Sequence, residues 1–258
     1  MISLGLGSQP TTECGIFSSN YSLALDGNSD YVSCPDTLKS AVDKNLGTVS
    51  FWVNVVENDG ATSQNVFKIF TDTDNQFVVL FHKYYTEWRA SLKTDGQVRI
   101  ASYDIPGSSD NDGSGYDVGW QHFAASWNVS GGAYSVKLYR NGSLIQNTTG
   151  VSGQSDWVGD IDSINIGANQ TGTGAFTDGH LDQVALWKIE LDANVINEIY
   201  NHGVIRDLTT ISGARYYTTN MVNNLIGYYQ FENNALDSSN TKAHGTLAGT
   251  AQFVTNQP

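Results

Sequence analysis

Residues 119–145, GWQHFAASWNVSGGAYSVKLYRNGSLI, constrain the fold of this chain more than any other stretch. Phe123, Ala125 and Trp127 fall on one face of a strand, with Gln121 before them. After a turn at Ser130-Gly131-Gly132, Tyr134, Val136 and Leu138 alternate against Ser135, Lys137 and Tyr139. That is the period of two expected of a half-buried strand. Asn141-Gly142 then offers the two positive-φ positions of a tight hairpin turn, and Leu144 and Ile145 pair back. The stretch predicts a three-stranded antiparallel meander.

A chain of 258 residues accommodates one large β domain or two small ones, and β-sandwiches reach this length as a single unit. Aromatic residues at 11%, with six Trp and thirteen Tyr, suffice for a sizeable core, whereas charged residues are only 15%. The scarcity of charge and the many Gly, Ser, Thr and Asn suit short strands joined by turns. The net charge of −13 would be repelled by a phosphate backbone, which argues against nucleic acid as a partner. No apolar run approaches the roughly 18 residues of a membrane span. The first ten residues, MISLGLGSQP, lack a basic start and a long apolar run, so export through a signal peptide is not expected. Cys14 and Cys34 are too few for a disulfide scaffold. They pair if the N-terminal segment folds back, and otherwise remain reduced and buried.

Taken in order, residues 1–18 read as an extension or tether, with Ile2, Leu4 and Leu6 suiting an edge strand. Tyr21 to Ser33 alternates and turns at Asp26-Gly27-Asn28. Asp36 to Lys44 predicts a short helix with Asp36 as its N-cap. Strands follow at 48–53, 66–70, 77–81, 87–92 and 98–103, then at 161–167 and 179–188. The loop Asp104 to Val118, DIPGSSDNDGSGYDV, is the longest punctuated stretch, and loops of that length in compact domains tend to carry function. Asp192 caps an amphipathic helix with Val195, Ile196 and Ile199 as its apolar stripe, ended by Gly203.

Several of these segments carry a family likeness. SLALDGNSDYV, TVSFWV, the GW-x-H strand with its KLY-x-NG hairpin, GHLDQVALW and the final GYYQFENNALDSSNTKAHGT resemble the laminin-G-like, or concanavalin A-like, jelly-roll family. The resemblance spans Tyr21 to Val254 in the right order. It implies an all-β, two-sheet antiparallel β-sandwich with one or two short helices, occupying residues 19–258. It also implies a Ca²⁺ ion, which is common in the family. Asp182 would then meet carbonyls near Asp26 and Gly27, and the alternative is that Asp182 hydrogen-bonds amides of the opening turn. Asp110-x-Asp112-x-Ser114-Gly115 independently fits the first half of a calcium-loop spacing, although Gln121 stands where a bidentate Glu belongs.

No catalytic constellation is legible. Glycoside hydrolases of this fold place paired carboxylates on one strand. The nearest approaches, Asp160/Asp162 and Glu190/Asp192, either lack the third acid or sit where Asp192 serves as a cap. Neither a Ser-His-Asp nor a metal-spaced His pattern is present. Sugar recognition needs aromatic platforms flanked by polar groups. Tyr84, Tyr85, Trp88, Tyr103, Tyr116 and Trp157 lie in or beside loops and are the candidates. Trp52, Trp120, Trp127 and Trp187 sit within strand patterns and read as core.

The reading that follows is a non-enzymatic virion structural protein, because the short lead, the lack of an expected signal peptide and the weakly charged, Asn/Thr/Gly-rich surface resemble bacteriophage capsid-decoration, head-fibre and tail jelly rolls. It implies a homo-oligomer contacting other virion proteins, made in the host cytoplasm and displayed on the virion surface. The alternative is an extracellular lectin or adhesin module that grips cell-surface glycans. A glycoside hydrolase ranks last.

Overall fold

The meander forms as its alternation predicts. The computed structural model describes residues 18–55, 63–82, 85–105, 119–129, 134–149 and 156–258. β8 (Gln121–Asn128), β9 (Ser135–Arg140) and β10 (Ser143–Thr149) pair in sequence order, with Phe123 opposite Arg140 and Ser143 opposite Arg140 across the turn. Asn141 (φ 47°) and Gly142 (φ 76°) make that turn. A Cβ on Gly142 would stand 2.9 Å from Asn197 Nδ2, so the position requires glycine for space as well as for φ.

Around the meander the chain builds two antiparallel sheets. One runs β10-β9-β8-β3-β12-β1-β15, where β3 is Leu46–Val55, β12 Asp178–Trp187, β1 Ser22–Asp26 and β15 Gln252–Val254. β13 (Leu225–Tyr229) pairs with β12 off this path. The other runs β14-β2-β11-β4-β5-β6-β7. Its members are β14 (Thr246–Ala248), β2 (Tyr31–Ser33), β11 (Ser163–Ile166), β4 (Ser63–Phe70), β5 (Gln76–His82), β6 (Glu87–Thr94) and β7 (Gln97–Asp104). The protein is thus an all-β two-sheet antiparallel sandwich with a few short helices.

The main core lies between the sheets. Phe51, Phe77, Phe81, Phe123 and Trp127 are each no more than 1% exposed. Trp88 stacks on Phe123 with ring centroids 4.1 Å apart. Trp127 lies so close to β3 that a Cβ on Gly47 would come within 2.4 Å of its ring.

A second core covers the outer face of the eight-stranded sheet. α2 (Ala193–Tyr200) lays Val195, Ile196 and Ile199 on that face, together with Leu208 and Tyr217 from the segment that follows. Asp192 caps α2, its Oδ1 accepting from the amides of Asn194 (2.8 Å) and Val195 (3.1 Å). Asn201 and His202 follow in left-handed conformations and Gly203 at φ 90°, which ends the helix where expected. Glu198 anchors the covering segment by accepting from the amides of Arg215, Tyr216 and Tyr217. This second layer is why Tyr139, expected on the polar side of its strand, is 1% exposed.

Three further expectations are corrected. Pro35, extended at φ −77°, is the N-cap of α1 (Asp36–Ala41), so Asp36 is the first helical residue and pairs with Lys39 at 2.7 Å instead of capping. Trp120 precedes β8 and is only half-buried, its indole N–H donating to Asn256 Oδ1 at 3.3 Å. A third helix, α3 (Thr219–Asn224), leads into β13. Of the two cysteines, Cys34 is a buried free thiol that burial pushes up to about 12, and Cys14 lies outside the described residues.

Candidate functional site

The site begins with a buried carboxylate. As the chain leaves β13, Asp237 accepts from the amides of Tyr228 (2.8 Å), Ser239 (2.8 Å) and Ala243 (2.7 Å) and from the Ser239 hydroxyl (2.8 Å). Four donors on one side chain fix the loop 237–243 against the strand. Tyr229 adds a bond from its hydroxyl to the Ala243 carbonyl (2.7 Å). The polar residues of this loop are therefore presented on a rigid frame.

Beside the loop an open cleft of about 380 Å³ is lined by Asp207, Thr209, Gln230, Leu236, Asp237, Ser238, Lys242 and His244. Asp207 Oδ1 is occupied by the amide (2.8 Å) and hydroxyl (2.7 Å) of Thr209, which leaves Oδ2 as an acceptor. Ser238 donates to Gln230 Oε1 (2.6 Å), and the Lys242 ammonium donates to the Ser238 carbonyl (3.2 Å) with two protons to spare. The Asp237 amide donates to His244 Nδ1 (3.0 Å), so a neutral His244 carries its proton on Nε2 as a further donor. Leu236 supplies an apolar surface, 51% exposed. Donors, an acceptor and one apolar contact within a cleft of this size suit a small hydroxylated ligand.

The residues singled out from the sequence lie elsewhere. Asp26 is consumed by its own turn, Oδ1 accepting from the amides of Asn28, Ser29 and Asp30 and Oδ2 from the Ser29 hydroxyl. The strand residue opposite Asp26 is Asp178, not Asp182. Asp182 is fully buried further along β12, at the point where the neighbouring strand changes from β1 to β13 and the register with β3 shifts. Its carboxyl takes the Ser19 hydroxyl (2.8 Å) and the Gln183 amide (2.7 Å), so it bonds no amide of the opening turn. The Asp26 carboxylate is thus spent within its own turn, and Asp182 lies beyond the Leu23–Leu181 pair at the other end of β1. Among the described residues no group of three His, Cys, Asp or Glu side chains is placed to hold a metal. Asp110 and Asp112 lie outside the described residues.

Of the sugar-platform aromatics, Trp88 and Trp157 are each 3% exposed. Trp88 packs in the main core, and Trp157 donates to Thr71 Oγ1 at 2.8 Å. Both are packing residues with no open ring face, because β6 turns Trp88 inward and the chain after 155 folds Trp157 under. Tyr85 is 46% exposed, with the Arg89 guanidinium 5.0 Å from its ring centre and His82 at 4.7 Å. Tyr103 is half-buried and accepts from Arg140 at 3.0 Å. Tyr84 and Tyr116 lie outside the described residues. Of the acid pairs, Glu190 is bound by Lys137 (2.7 Å) and Asn128 (2.8 Å), and Asp192 caps α2. None of these acids lines the cleft.

The cleft residues escaped sequence reading because they come from two segments, around 207 and 230–244, with no spacing rule to join them. The one signal was the GYYQFENNALDSSNTKAHGT ending, legible as part of the fold but not as a wall.

Several known structures share this architecture. A provisionally assigned carbohydrate-binding protein of Bacteroides ovatus superposes with a TM-score of 0.57 at 12% identity, covering 94% of this chain and 61% of its own. This chain thus spans about three fifths of that protein. The CBM40 of the Ruminococcus gnavus IT-sialidase gives 0.50 at 12% identity, over 69% of this chain and 96% of its own. The heptameric SAP-like pentraxin of Limulus polyphemus gives 0.51 at 15% identity, over 76% and 86%. At these identities the likeness speaks for the fold alone. No curated protein matches in sequence. Residues 26–197, more than half of the chain, match the model of one family. The chain belongs to the concanavalin A-like lectin/glucanases superfamily.

Proposed function

We propose that this protein is a non-catalytic carbohydrate-binding module, and that the cleft between Asp207 and His244 is its binding site. The observation that carries the reading is the cleft itself: fixed polar groups of both hydrogen-bonding senses around an exposed Leu236. A sugar presents hydroxyl edges and apolar C–H faces, and these groups match both. The superfamily, and the carbohydrate-binding role attached by name to a structural relative, add support. A virion role draws nothing from the family or from these relatives, so recognition ranks ahead of it. Extracellular display is the setting this reading favours.

The test is a glycan array probed with the purified chain, followed by calorimetric titration of the best hit. Asp207→Asn and Lys242→Ala should each weaken that hit about tenfold, the scale of one hydrogen bond to a charged group. An array without hits, or variants that bind as tightly as the parent, would overturn the assignment.

A further inference from the structure

His122 is the second residue of β8, 1% exposed, on the outer face of the eight-stranded sheet. Neither of its ring nitrogens has a hydrogen-bond partner among the described residues. Its nearest ring neighbours, Trp52 (5.3 Å between centroids) and Tyr200 (5.9 Å), offer it aromatic surface. The ring borders a chamber of about 10 Å³ between the sheet and the covering segment, and the polar lining also includes Ser50, Gln183 and Arg206. Arg206 faces the same deficit: its Nε is buried without a partner, although its terminal nitrogens donate to the carbonyls of Glu198 (3.4 Å) and Ser212 (3.2 Å).

A neutral imidazole has one N–H donor and one nitrogen acceptor, and the guanidinium Nε is a donor. Buried groups of this kind are as a rule satisfied, by protein or by ordered water. A space of roughly 10–15 Å³ with several polar walls is the smallest that holds a water molecule. No larger ligand fits, and the guanidinium disfavours a metal cation. We propose that this chamber is a binding site for one internal water molecule, which links His122 in the sheet to Arg206 in the covering segment. Arg206 and Leu208 flank Asp207, so the water also fixes the backbone behind one wall of the cleft. The chamber itself stands independently of what the cleft binds.

The experiment is a crystal structure of the full chain at about 1.5 Å, paired with one of His122→Phe. The expected result is a single water peak within hydrogen-bonding reach of a His122 ring nitrogen, lost in the variant. A dry chamber, protein partners on both ring nitrogens, or a peak that persists in His122→Phe would overturn the proposal. If the variant fails to fold, the parent protein still decides. Water-to-protein cross-relaxation at the His122 ring by NMR should show a long-lived bound water, and its absence would count against the site.

Discussion

Ser19 Oγ lies 2.8 Å from Asp182 Oδ2, 2.9 Å from Glu232 Oε1 and 3.1 Å from the Tyr21 carbonyl. One hydroxyl has one proton to donate among three acceptors, so a second proton on Asp182 resolves the arrangement. Burial pushes the Asp182 carboxyl up to about 8, and the neighbouring Glu232 charge adds to the shift. Asp182 is then a neutral acid at pH 7. The folded-state value lies above the unfolded one, near 3.9, so folding favours the protonated form. The stabilisation from this group is full below about pH 4, declines as the pH rises to about 8, and changes no further. Asp182→Asn abolishes that titration. Its melting temperature relative to the parent should climb between pH 5 and pH 8 and then level off, whereas parallel profiles would show that Asp182 is ionised throughout. The sequence placed Asp182 on the right strand but with the wrong neighbours. Alternation assigns a face, and what stands across from it depends on the register shift after Asp182, which no local pattern records. His122 shows the same limit. Its sequence context marks it only as part of a strand motif, and its isolation depends on a covering layer contributed by residues far along the chain. Burial pushes its imidazole down to about 3, so it stays uncharged through the physiological range.

At the scale of elements, local chemistry was a good guide wherever one short segment decides the outcome. The strands formed by alternation, the Asn141-Gly142 turn and the Asp192 cap all appear where their residues predict them. Asp192→Ala should cost about 1 kcal/mol in chemical denaturation, since two amides lose their acceptor. Gly142→Ala should cost at least as much, because the left-handed backbone and the close Asn197 amide both resist a Cβ. Trp88→Ala should cost about 3–5 kcal/mol, the range for emptying a packed aromatic site. If Trp88 were instead an exposed sugar platform, the substitution would leave stability nearly unchanged and only weaken binding. The Asp36 cap failed for a local reason that is legible afterwards. Pro35 already holds the extended conformation of a cap, which moves Asp36 into the first turn.

Across the whole molecule, the C-terminal quarter does more than extend the sandwich. β13 joins one sheet through β12, β14 joins the other through β2, and β15 returns to pair with β1. The loop between β13 and β14 forms one wall of the cleft, and the segment after α2 forms the opposite one. The architecture was legible because sheet-forming patterns recur along the chain. The cleft was not, because its walls meet only once both segments have docked on the finished sheet. No helix among the described residues is long and apolar enough to cross a membrane. The most direct test of the account is to titrate the strongest glycan-array hit into isotope-labelled protein and map the amide shifts. The account predicts that the shifted resonances cluster at residues 207–209 and 236–244. Shifts confined to another surface, such as the turn around Tyr85, would contradict it.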